Sequence, residues 1–168
     1  MLFLHNKHQY VDEQKERNAA AYAAHHDRKT KVQELKARHK EEAKVDKSFH
    51  VATFDLEQVL QSPKLNVSSL FYKRKLSTYN LTVYSLADNK CINYMWHEAT
   101  AGRGSCEIAT CVFKYMSSLS GDVKKLGLYS DTCSGQNRNI NFSMMCLCAI
   151  RELPIDSIEH VYMESGHS

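Results

Sequence analysis

The spacing of apolar residues changes at Gly102-Arg103-Gly104, and that change constrains the fold more than any other feature of the chain. Upstream of it, Ile92, Tyr94 and Trp96 alternate with Asn93, Met95 and His97, the two-residue period of a half-buried strand. Downstream, Ile108, Cys111, Val112, Tyr115, Met116 and Leu119 follow the i, i+3, i+4, i+7 spacing of an amphipathic helix, which Ser105 is placed to cap and Ser120-Gly121 to end. Three strands therefore precede this helix: Phe49 to Leu56, Leu70 to Leu86 as one long or bent strand, and Cys91 to Glu98, with turns at Ser62-Pro63 and Asp88-Asn89-Lys90. After the helix, Lys125 to Ser130 reads as a strand, Asn137 to Glu152 as a nearly all-apolar and hence buried helix, and Ile158 to Met163 as a last strand.

The order β-β-β-α-β-α-β predicts an α/β (α+β) fold, an antiparallel meander continued by two crossovers into a mixed sheet. Right-handed crossovers lay the last two strands parallel to the first and bring their carboxyl ends to one edge. Ligands of open α/β sheets bind at that edge.

Residues 11 to 47 are different in kind, with ten Lys/Arg, eight Asp/Glu and neither Gly nor Pro. They predict a long, largely solvated helix, because Asn18-Ala19-Ala20-Ala21-Tyr22-Ala23-Ala24 and its neighbours are strong helix formers. Apolar positions Val11, Ala21, Val32, Leu35 and Val45 are too sparse for a sustained heptad seam, so a stalk or arm is expected rather than a coiled coil. The chain divides into a charged helical arm over 1–47 and one domain over 48–168, since 168 residues at 43% hydrophobic supply one core.

A formal charge of +3 permits a nucleic-acid partner without requiring one, because 22 Lys/Arg are offset by 19 Asp/Glu. Met1-Leu2-Phe3-Leu4 passes directly into polar residues, and the uncharged run Asn141 to Ile150 is too short to span a bilayer. No membrane, no secretion and a nuclear or cytoplasmic location are expected. The six cysteines show no C-x-x-C pair and lie mostly in apolar patterns, which predicts reduced, mostly buried thiols.

The candidate site begins with Asp131, where the strand Leu128-Tyr129-Ser130 ends before Ser134-Gly135-Gln136-Asn137-Arg138-Asn139. An Asp in that position is a turn residue or a metal-holding carboxylate. Asp55 has the same placement in Val51-Ala52-Thr53-Phe54-Asp55, inside an apolar strand where a charge needs a metal or a basic partner. Glu107, in the first turn of its helix, is a favourable N-terminal charge or a further ligand. Gln136, Asn137, Arg138 and Asn139 either contact phosphate or cap the following helix, and Lys73, Arg74 and Lys75 either contact DNA or form a solvated strand edge. His167 orients a phosphate or a ligand, or is merely a terminal residue.

Four ordered motifs add a resemblance. Phe54-Asp55-Leu56-Glu57-Gln58-Val59 with Ser62-Pro63, Phe71-Tyr72-Lys73-Arg74-Lys75-Leu76 with Tyr79-Asn80, Tyr129-Ser130-Asp131 with Gly135-Gln136-Asn137-Arg138-Asn139, and Gly166-His167-Ser168 resemble a family of transposon-derived, DDE-type, ribonuclease H-like transposase proteins common in arthropod genomes. The resemblance covers about residues 48 to 168 and implies the ribonuclease H fold. It implies two-metal phosphodiester chemistry on DNA, with Asp55 and Asp131 binding Mg²⁺ or Mn²⁺ ions roughly 4 Å apart. It also implies an acid a few residues after Gly166-His167-Ser168, where this sequence stops, so a truncated copy with impaired activity is expected. The 1–47 helix would then reach DNA or a second subunit of a homo-oligomer. The alternatives are a catalytically dead DNA- or protein-binding module, or an unselected transposon remnant.

Overall fold

The computed structural model describes residues 2–64 and 73–163, with side chains described for Ala19 and from residue 21 onward. Its elements are α1 (Leu2–Val45), β1 (Phe49–Leu56), β2 (Leu60–Ser62), β3 (Leu76–Ser85), β4 (Cys91–His97), α2 (Ser105–Ser117), β5 (Lys125–Asp131), α3 (Ile140–Glu152) and β6 (Ser157–Met163). The predicted order is present, with β2 inserted as a short extra strand. The expected start of the second strand at Leu70 lies outside the described residues, within which β3 begins at Leu76.

The strands form one mixed sheet in the order β4-β3-β1-β5-β6, and β2 continues the β1 edge of β3. β1 pairs antiparallel with β3 and parallel with β5, which pairs parallel with β6. The parallel strands thus end on one edge, as the crossovers require.

Alternation along β1 and β5 sends side chains to two different cores. Ala52, Phe54, Leu126 and Leu128 face α2 and α3, where they meet Ile108, Val112, Met116, Phe142 and Ala149. Phe54 and Phe142 stack at 5.5 Å between ring centroids, and each such fully buried side chain contributes about 2 kcal/mol. Phe49, Val51, Tyr129 and Met163 face the opposite way and pack with Ala43 of α1. Cover on both faces explains why β1 and β5 read as near-continuous apolar runs.

That second core corrects the expectation of a free arm. Ala43 is 3% exposed and His39 7%, and Val32 packs against the same cluster, so the last turns of α1 belong to the domain. The solvated reading holds for the preceding turns, where Ala21, Tyr22, Ala23 and Ala24 are exposed.

Three smaller expectations are also corrected. α3 is not buried all round: Phe142 and Ala149 face the sheet, but Ile140, Met144 and Leu147 are exposed, because the sheet covers one side of a helix only. The N-cap of α2 is Gly104, not Ser105, whose hydroxyl instead accepts from Asn141 Nδ2 at 2.8 Å. All six cysteines are free, as expected, yet none is buried, and Cys91, Cys106 and Cys148 are exposed.

Candidate functional site

The β1–β5 ladder ends at Thr53↔Tyr129, and two residues beyond on each strand lie Asp55 and Asp131. The same offset puts both acids on one face of the sheet, the face that α1 covers lower down. The two acids predicted from strand ends therefore share one face of neighbouring strands, just past the last pair of their ladder.

Asp131 is held in place by its own turn. Cys133 N–H donates to Asp131 Oδ1 at 3.2 Å, and the Asn137 amide donates to the same oxygen in a short hydrogen bond. Asn137 is only 3% exposed, so its side chain is committed to positioning Asp131 and not to contacting phosphate. The turn folds back this far because the N–H groups of Gln136, Asn137 and Arg138 all donate to the Cys133 carbonyl. Neither donor occupies Asp131 Oδ2.

Beneath Asp131, Ser130 is fully buried and its hydroxyl donates to the Asp131 carbonyl at 3.0 Å. His160 Nε2 lies 2.8 Å from the same hydroxyl oxygen. With the single hydroxyl proton already given, His160 is the neutral tautomer that donates from Nε2. Burial against Phe54, Phe142 and Tyr162 pushes its pKa down to about 4.

Asp55 is half-buried rather than enclosed, which removes the expected need for a compensating partner. It makes no hydrogen bond or ion pair among the described residues. Its partner across the ladder is Thr82, whose hydroxyl bonds to Glu57 at 2.7 Å and to Asn93 at 2.8 Å. Asn80, two residues from Thr82 on the same face, is 9% exposed and its Oδ1 has no hydrogen-bond partner among the described residues. Asn80 stands opposite Glu57, whose N–H donates to its carbonyl at 2.9 Å, and so lies two positions along the ladder beyond Asp55. The Asp55 and Asp131 carboxylates are hard oxygen donors of the kind Mg²⁺ or Mn²⁺ takes, and no described group of three His, Cys, Asp or Glu side chains could hold a metal ion.

The other predicted residues fall elsewhere. Glu107 lies across the sheet at the start of α2, where its carboxylate accepts from Gly104 N–H at 3.0 Å and from Gly102 N–H at 3.2 Å. The expectation of a further ligand is not met, because those bonds fix it as the cap of α2. Asn139 is the N-cap of α3, accepting from Phe142 N–H at 3.0 Å. Arg138 is exposed with its guanidinium 5.6 Å from the centre of the Tyr162 ring, and Gln136 is half-buried beside it.

Arg74 is ion-paired with Glu98 at 3.1 Å, and Lys73 is exposed while Lys75 is half-buried. The Ser77 N–H, then Arg74, hold the Glu98 carboxyl below the usual carboxylate range. Lys75 is seven steps along the chain from Thr82, about 23 Å in extended strand, so this basic cluster is not beside Asp55. His167 lies outside the described residues.

The groove that α1 makes with the sheet was not among the expectations. It is lined by Lys29, Lys36 and Lys40 with Val32, Leu86 and Met163. The signal was the stripe Val32, Lys36, His39, Ala43 at helical spacing, which a search for apolar residues alone passes over.

No family model, curated protein or solved structure matches the chain. Among the described residues no helix is long and apolar enough to cross a membrane. The class defined by these findings is a mixed α/β domain with a carboxylate pair at the carboxyl edge of its parallel strands.

Proposed function

We propose that the chain is a ribonuclease H-like nuclease or strand-transfer domain of transposase ancestry, acting on DNA with Asp55 and Asp131 as ligands of Mg²⁺ or Mn²⁺. The observation that carries the reading is the shared two-residue offset of both acids beyond the last pair of the β1–β5 ladder. The sheet order β4-β3-β1-β5-β6, with β5 and β6 parallel to β1, supports it as the arrangement the resemblance implies. A bound divalent ion supplies activation of the attacking oxygen and charge neutralisation at the phosphate. Asn137 and Cys133 N–H fix Asp131 Oδ1, which leaves Oδ2 for the ligand, and Arg138 beside the turn meets the scissile phosphate.

Supercoiled plasmid incubated with the full chain and Mg²⁺ or Mn²⁺ tests this directly. Nicking is expected, abolished by chelator and reduced at least 100-fold by Asp55→Asn or Asp131→Asn. Nicking that survives both substitutions, or none with either ion, would sink it.

A second reading, a DNA-binding module without chemistry, is favoured by the commitment of Glu107 to the α2 cap. Salt-sensitive DNA binding that persists in the Asp55→Asn/Asp131→Asn double variant, with no nicking by the unaltered chain, would select it.

A further inference from the structure

We infer that the groove between α1 and the sheet is a track for a DNA strand, in which Lys29, Lys36 and Lys40 hold phosphates and lead the strand to the edge where Asp131 lies. The inference rests on the proposed action on DNA and adds to it the surface that binds the substrate. The groove has a volume of about 340 Å³, with the three lysines on one wall and Val32, Leu86 and Met163 completing it.

The charge arrangement selects an anionic occupant. Lys31 and Lys44, which do not line the groove, are paired with Asp27 at 2.7 Å and Glu41 at 2.6 Å. Lys29, Lys36 and Lys40 are each half-buried and make no ion pair among the described residues. Lys36 is the most telling: its ammonium has the Met163 sulfur at 3.7 Å and the Tyr129 ring at 5.7 Å, and burial lowers its pKa. Glu159, an acid on the same face of β6, lies 4.0 Å from His39 Nε2 rather than beside a lysine. Three like charges turned toward one cleft, with no ion-paired acid among the described residues, are complementary to a phosphate chain.

The geometry ties that cleft to the acids. Met163, which lines the groove against Lys36, is the register partner of Asp131 on the neighbouring strand and shares its face. At about 1.5 Å per helical residue, the stretch from Lys29 to Lys40 spans about 16 Å. That is the rise of roughly five nucleotides of one strand at about 3.4 Å each. A strand laid along the lysines thus passes Met163, the register neighbour of Asp131 at the carboxyl edge of β5.

The test is fluorescence anisotropy of a labelled oligonucleotide with the full chain in chelator, repeated over a range of salt. The Lys29→Gln/Lys36→Gln/Lys40→Gln variant is expected to bind at least tenfold more weakly at about 0.1 M salt. Its log K against log salt slope should be shallower by roughly 2 to 3, as loss of three phosphate contacts requires. A Lys31→Gln/Arg38→Gln control on the solvated faces of α1 should stay within twofold. Because Lys36 touches Tyr129, folding is checked by circular dichroism. If the triple variant unfolds, Lys29→Gln/Lys40→Gln carries the test with an expected loss of threefold or more.

Wild-type affinity and slope in a folded lysine variant, or equal loss in the control, overturns the track. Tight binding of tripolyphosphate with no binding of DNA also overturns it. The two proposals fail separately. Lysine-dependent DNA binding without metal-dependent nicking removes the nuclease and leaves the track. Nicking with unaltered binding in the lysine variants does the reverse.

Discussion

Asn137 and His160 show how far the setting of Asp131 depends on buried polar side chains. Asn137 is as buried as a core residue because its amide is satisfied by Asp131, so its loss would free the carboxylate to rotate. His160 works from below, donating to Ser130, which in turn bonds to the carbonyl of Asp131. Its pKa near 4 makes stability depend on pH with a definite sign. The unfolded chain protonates this histidine near pH 6.5 whereas the folded protein resists until about 4. Stability is therefore full above about pH 6.5 and declines as pH falls toward 4, by roughly 3 kcal/mol from this group alone. Thermal melts from pH 7.5 to 4.5 should show the decline, and His160→Phe, which keeps the contacts with Phe54 and Phe142, should flatten most of it. The remainder belongs to His50, whose pKa burial also lowers. An equally steep decline in His160→Phe would refute the assignment.

At the scale of elements, Glu107 is a structural carboxylate, unlike the pair proposed to hold metal. Its two bonds to Gly104 and Gly102 N–H satisfy donors at the start of α2 that no glycine side chain can reach. Glu107→Ala should lower stability by about 1 kcal/mol in urea melts and leave Mn²⁺ affinity within twofold. A tenfold loss of Mn²⁺ affinity would make it a ligand after all. The strands and α2 were legible in the sequence because each exposes a regular period, and Asp55 and Asp131 were legible because strand ends are. β2 was not, since all three of its residues are exposed and carry no alternation. The docking of α1 was hidden because Lys36 and His39 bury stems and rings that count as polar in any hydrophobic pattern. The hold of Asn137 on Asp131 was hidden for another reason: it follows from three N–H groups converging on one carbonyl, which no residue spacing announces.

Across the whole molecule, the question is where α1 stops being part of the domain. Tyr129 OH meets His39 Nδ1 at 2.9 Å inside the second core, and the His39 ring stands edge-on to Phe49 at 5.3 Å. Burial pushes the Tyr129 pKa up to about 12, so the phenol stays protonated and able to donate throughout the neutral range. These contacts join α1 to the two central strands, and nothing comparable exists at Ala21 to Ala24, where every residue is exposed. Amide hydrogen exchange should therefore divide one continuous helix into two regimes. Amides from Leu35 to Val45 should be protected as well as those of β1 and β5, whereas those from Ala21 to Arg28 should exchange at least 100-fold faster. Tyr129→Phe leaves His39 Nδ1 buried without its partner, a loss of about 1 to 2 kcal/mol. That loss should appear equally in the exchange of α1 from Leu35 onward and of β5, since they unfold as one unit. If Leu35 to Val45 exchanges as fast as the exposed turns, or if Tyr129→Phe weakens β5 alone, the helix is an independent arm and the groove it forms is not a fixed surface.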